Sequence, residues 1–133
     1  MAKIINFIRN TLLPEGLYEV KVSSASVFTE EGVFDIVLFF SILTKDFAGK
    51  TISQRYTLKN EFFPNRQEAG QIKFSNFLDA IGVEGIPEDS EDLVGKELSV
   101  KVGSFVGNDG EKKNCILCHL AKDNIKTENS IPF

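Results

Sequence analysis

Histidine, methionine, cysteine and tryptophan are nearly missing from this chain, which has one His, one Met, two Cys and no Trp in 133 residues. Each scarcity excludes something. The single His, His119, stands beside Cys118 and leaves a Ser–His–Asp arrangement little to be built on. Two Cys and one His make three ligands, one short of a structural zinc site. No segment approaches the ~18 consecutive apolar residues of a membrane span. The opening MAKIINFIRN is broken by Asn6 and Arg9 and lacks the uninterrupted ~7–15-residue apolar region of a secretory signal. The expectation is a cytoplasmic protein without membrane association, whose cysteines are thiols and not a disulfide.

Two short patterns invite sharper readings. Cys115-Ile116-Leu117-Cys118-His119 spells C-x-x-C-H, the haem-attachment pattern. Haem attachment follows export, and no export signal is seen. The motif also falls in an apparent strand, where residues three apart face opposite sides, and the only Met is Met1. No cofactor or metal is expected, and Cys115 and Cys118 read as buried strand thiols. Residues 84–92 (EGIPEDSED) hold Glu84, Glu88, Asp89, Glu91 and Asp92, and the last four could serve a metal-dependent nuclease. A charge run in a Pro- and Ser-containing loop is ordinarily solvated. No phosphate-binding Gly loop is present, so the chain does not read as an enzyme.

What the chain has in quantity is phenylalanine, 12 residues, with 2 Tyr. The net charge of −4 argues against a polyanionic partner. Its distribution softens this. Five of the 19 acids lie in residues 84–92, and the remaining 14 nearly match the 15 bases. A roughly neutral body can still present a basic groove.

Residues 33–58 organise the rest. Two β-branched and aromatic runs, 33–43 and 51–58, flank a turn at Lys45–Gly49, the signature of a hairpin. Phe34, Ile36, Leu38, Phe40 and Ile42 share one face, with Ile52, Tyr56 and Leu58 on the matching face of the second run. The other face carries Asp35, Val37, Phe39, Ser41, Ser53 and Arg55. Before the hairpin, Tyr18, Val20 and Val22 alternate with polar residues in a first strand. After it, Phe62-Phe63-Pro64 ends the extended part. A helix is expected at about 66–81, with Asn65 as N-cap, Glu68 three residues on, Phe74, Phe77, Leu78 and Ile81 as its apolar stripe, and Gly82 as its stop. Leu98, Val100 and Val102 mark a fourth strand, and Asn114–Leu120 a fifth. Residues 1–12 read as an amphipathic lead-in that packs on its own domain or a neighbouring copy, 13–120 as one domain, and 121–133 as a tail. Three strands, a helix and two strands is the element order of an OB-fold, a five-stranded Greek-key barrel with one helix between strands 3 and 4.

On such a barrel Lys21, Phe39, Arg55 and Lys101 leave the apolar faces of their strands, Lys50 lies at the hairpin loop, and Phe28 and Phe34 flank the first turn. Phe105, Lys112 and Lys113 flank the turn between strands 4 and 5, a loop that OB-folds use for oligonucleotides. Exposed rings stack on bases for about 1–3 kcal/mol each and cations neutralise phosphates, so this set suits single-stranded nucleic acid. The plainer alternative is that several of these Phe are core.

LPEGLYEVKV, FAGKTISQRYTL, the helix ending FLDAIGV, and DLVGKELSVKVG together resemble a phage family long catalogued as a domain of unknown function, which contains single-stranded DNA-binding proteins with an OB-fold. The ending Asn129-Ser130-Ile131-Pro132-Phe133 separately resembles the tail tip of bacterial single-stranded DNA-binding protein (SSB), though without its run of Asp. The resemblances imply a sequence-nonspecific single-stranded DNA-binding protein of phage replication or recombination, acting in the infected host cell. They further imply that Ile131, Pro132 and Phe133 recruit replication or repair proteins. The competing expectation is an OB-fold protein-interaction adaptor that binds no nucleic acid.

Overall fold

Alternation of apolar and polar residues builds five strands, β1 (Gly16–Glu30), β2 (Val33–Ile42), β3 (Thr51–Asn60), β4 (Glu97–Val106) and β5 (Lys112–Leu120), with one helix, α1 (Pro64–Ile81), between β3 and β4. The computed structural model describes residues 12–85 and 87–122. The expected lead-in and tail therefore lie outside the described residues except for Leu12, Ala121 and Lys122. All pairings are antiparallel and give one mainly β sheet in the order β3-β2-β1-β4-β5.

The expected closed barrel is not formed: β3 and β5 are the two edges of the sheet, and no ladder joins them. A side-chain contact and the helix span the gap instead. Tyr56 Oη of β3 lies 2.8 Å from His119 Nε2 of β5, both buried. Phe74 and Phe77 of α1 pack edge-on or tilted against the Tyr56 ring, and Phe77 also meets Phe40 and His119. The inward rows of the strands complete the core, with Val20, Val22, Leu38, Phe40, Ile42, Leu98, Val100, Val102 and Ile116 essentially inaccessible.

The helix begins earlier than the sequence suggests. Its N-cap is Phe63, with no side-chain cap, and Pro64 takes the first turn, where a missing N–H costs nothing. Asn65 caps nothing. Asn60 braces the approach instead, its Oδ1 accepting from the N–H groups of Phe62 and Phe63 at 3.0 and 2.9 Å. The stop is as expected: Gly82 adopts the left-handed conformation at φ 76°, and Val83 N–H donates to the Leu78 carbonyl.

A bulge also changes a phase. Lys101 pairs with Cys118 but Val102 pairs with Ile116, so Leu117 is an extra residue. Cys115 and Cys118 therefore oppose Gly103 and Lys101, two apart on β4, and lie on one side of the sheet, not on opposite sides as strict alternation implies. Both thiols are free and half-buried, where full burial was expected.

Gly70 sets how closely α1 lies on β3. A methyl there would fall onto the Thr57 carbonyl oxygen and within 2.6 Å of the Thr57 nitrogen, both unyielding backbone. In an ordinary helix Gly→Ala gains about 1 kcal/mol. Here Gly70→Ala should instead destabilise by about 1–3 kcal/mol through overpacking, read as a lowered denaturation midpoint. A raised midpoint would contradict the packing.

Candidate functional site

The outward face of β1–β3 is built as cross-strand rows. Phe28, Asp35 and Thr57 lie side by side, then Ser26, Val37 and Arg55, then Ser24, Phe39 and Ser53. Lys21, Ser41 and Thr51 form a further row beyond the bulge at Ser23. Because residues on neighbouring rows reach each other diagonally, the Arg55 guanidinium lies 3.2 Å from Asp35 Oδ2 and 5.9 Å from the centre of the Phe28 ring. The Asp35 side chain is 7% exposed and that of Arg55 60%, so a buried carboxylate anchors an arginine whose remaining donors face outward. Phe28 and Phe39 are 42% and 37% exposed, enough to present ring surface while seated on the sheet.

The other expected site residues divide. Lys101 continues the outward face onto β4, opposite Leu17 of β1, and is exposed. Lys21 stands opposite Glu97, whose carboxyl is held below its ordinary value by a hydrogen bond and the charge of Lys122, with Lys21 adding a smaller pull. Lys50 is exposed at the β2–β3 connection. Phe105 pairs with Lys113, and Lys112 with Val106, beyond the Gly16 end of β1, whereas Phe28 lies near its other end. Strand pairing therefore does not join these three to the Phe28–Arg55 rows. Lys113 also turns back to Asp109 at 3.4 Å. Phe34 belongs to the opposite side. It lines a partly open cavity of about 300 Å³ with Val27, Ile36, Leu58, Phe74, Leu93 and the segment Pro87–Ser90. Ile131, Pro132 and Phe133 lie outside the described residues.

Sequence reasoning missed three participants. In the sequence Asp35 is only one residue of the outward row, and its pairing with Arg55 depends on register. In the sequence Phe62 and Phe63 only end a strand, yet they are 66% and 54% exposed, with the Arg66 guanidinium 4.6 Å over the Phe63 ring.

The C-x-x-C-H residues do not converge. The cysteines oppose Gly103 and Lys101, while His119 turns inward to Tyr56. Among the described residues no three His, Cys, Asp or Glu side chains gather to hold a metal ion, and no helix is long and apolar enough to cross a membrane. Lys73 of α1 donates to Gln54 Oε1 at 3.2 Å, and burial holds its ammonium below the ordinary lysine value, partly opposed by Cys115.

Fold and face together define a class: an open five-stranded antiparallel sheet, backed by one helix, with an aromatic and guanidinium outer surface. The chain belongs to the family described as Protein of unknown function (DUF669), whose model matches residues 5–127. Comparison with curated proteins finds no match to it.

The chemistry between the sheet edges has a pH signature. Burial, with Lys73 adding to it, pushes His119 down to about 4 from its ordinary 6.5. Burial raises the Tyr56 phenol well above its ordinary value, so at neutral pH a protonated phenol faces a neutral imidazole. A depressed folded-state value means that the unfolded chain binds the proton more readily. His119 thus contributes its full stability above about 6.5 and loses it as pH falls toward 4, a loss on the order of 3 kcal/mol. Urea midpoints of wild type and His119→Phe at pH 7 and 4.5 check this. The variant should be weaker at pH 7, with the Tyr56 hydroxyl left unpaired, but less sensitive to acid. Parallel pH profiles would contradict the assignment.

Proposed function

We propose that this protein binds single-stranded DNA without sequence preference, on the outward face of β1–β3, and acts in replication or recombination. The observation that carries the reading is the Phe28–Arg55–Asp35 arrangement. An aromatic ring and a guanidinium lie together on a sheet surface of Ser, Thr and Phe39, and the arginine is held by a buried carboxylate. Rings stack on any base, the remaining N–H groups of Arg55 donate to phosphate oxygens, and neither demands a particular sequence. The strand order β3-β2-β1-β4-β5, with the helix between β3 and β4, supports reading the fold as an OB-fold open between β3 and β5. The resemblance of the chain to phage single-stranded DNA-binding proteins points the same way.

The alternative, a protein-interaction adaptor, has its own support in the apolar cavity around Phe34, whose wall includes the acidic Glu88 and Asp89. An adaptor would ignore a single strand.

Titration of fluorescent oligo-dT and its duplex at two salt concentrations separates the two readings. Single strands should bind far better, and log K should fall with log salt by about 0.7 per phosphate contact. Equal duplex affinity or a flat salt response would contradict the reading. Phe28→Ala should lose about tenfold in affinity, within what one stacked base contributes, with little change in melting. Arg55→Ala is a poorer probe, because it strands the Asp35 carboxylate and should also destabilise the fold by about 1–3 kcal/mol. The proposal includes Ile131-Pro132-Phe133 as a hook for replication or repair proteins. Deleting residues 129–133 should leave oligo-dT affinity unchanged while abolishing capture of such a protein, and a tenfold loss of DNA affinity would contradict it.

A further inference from the structure

The two most exposed aromatic rings among the described residues are adjacent, Phe62 and Phe63, at the corner between β3 and α1. Hydrogen bonds brace the backbone of this corner. Asn60 Oδ1 accepts from both ring-bearing residues' N–H groups, Asn60 N–H donates to Gln67 Oε1 at 2.8 Å, and Pro64 stiffens the exit. Glu61 N–H donates to the Gly32 carbonyl at 2.9 Å, tying the corner to the β1–β2 turn. A side chain at Gly32 would come within 3.3 Å of the Phe62 ring, so turn and corner touch. Rings left more than half exposed on a braced backbone bury less apolar surface than a core ring would.

The corner also repeats the chemistry of the sheet face. Arg66 lies over Phe63 at 4.6 Å, as Arg55 lies over Phe28 at 5.9 Å, and these are the two arginine-over-phenylalanine contacts among the described residues. Val33 pairs with Glu30 of β1 on one side and with Asn60 of β3 on the other, two residues before Asp35 in the Phe28 row, so the β1–β2 turn lies beside the strand end that carries the second unit. Lys59 lies 3.8 Å from Glu61 and offsets its charge. We propose that Phe62, Phe63 and Arg66 form a second stacking and phosphate-binding unit, so that a DNA strand crossing Phe28 and Arg55 continues past the Gly32 turn onto the β3–α1 corner. The proposal rests on the single-stranded DNA reading above and extends its path. Exposed Glu30 and Glu31 repel phosphates from the turn itself, which leaves bases on the rings and the strand's backbone on the Arg66 side.

The test compares the full chain with Phe63→Ala/Arg66→Ala and with Phe28→Ala, using oligo-dT of about 5 and about 16 nucleotides, the range of site sizes for one such domain. The corner variant should bind the short strand like wild type and the long strand about tenfold more weakly. Phe28→Ala should weaken both. Wild-type behaviour of the corner variant on both lengths, or an equal loss on both, overturns the second unit while leaving the first standing. If wild type binds neither length, the single-stranded DNA reading itself fails and takes the extension with it. Should the double variant lose its cooperative melt, Phe62→Ser carries the same comparison with the same outcomes.

Discussion

The structure depends on how two sheet edges are held together without a backbone ladder. An edge strand with unpaired N–H and carbonyl groups is a liability, and β3 and β5 are both edges. The Tyr56–His119 contact and the Phe74–Phe77 face of α1 bridge them, with the close approach permitted by Gly70. Each part requires the others. The imidazole stays neutral because it is buried, and it is buried because the helix covers it.

This arrangement decides which phenylalanines are free for other work. Phe40, Phe74 and Phe77 fill the interior, and the alternating Val, Leu and Ile rows close it from the sheet side. Phe28, Phe39, Phe62, Phe63 and Phe105 remain at the surface, beyond what the core uses. Two of these rings sit under arginines. A surface of that composition fits a partner that offers flat rings and negative charge together, and single-stranded DNA is such a partner. The overall charge of −4 opposes this only weakly, because five of the 19 acids lie in the segment 84–92, outside the β1–β3 strands, and the remaining 14 nearly match the 15 bases.

The strands, the helix and most of the core were legible because period-2 and period-3.6 patterns are local. Tyr18, Val20, Val22, Ile36, Leu38, Phe40, Phe74, Phe77 and Leu78 lie where their spacing put them. Long-range or register-dependent features were not. The Tyr56–His119 contact joins residues from opposite ends of the sheet, and no spacing encodes it. The Leu117 bulge moved Cys115 and Cys118 to one side of the sheet. Asn65 carried a capping residue type, but Asn60 already held the N–H groups of Phe62 and Phe63, and Pro64 opened the helix earlier. On the outer face, Phe28, Phe39 and Arg55 were legible as leaving the core, whereas the buried Asp35 beneath Arg55 was not. Phe62 and Phe63 looked like punctuation because exposure is a tertiary property.

The most direct measurement is the set of amide and aromatic-ring NMR shifts on adding oligo-dT to the full chain. The account predicts the largest changes at Phe28, Phe39 and Arg55, with Phe40, Val100 and Tyr56 on the inward side nearly unmoved. Shifts centred on the cavity of Val27, Phe34, Leu58 and Leu93, or none at saturating strand, would contradict it.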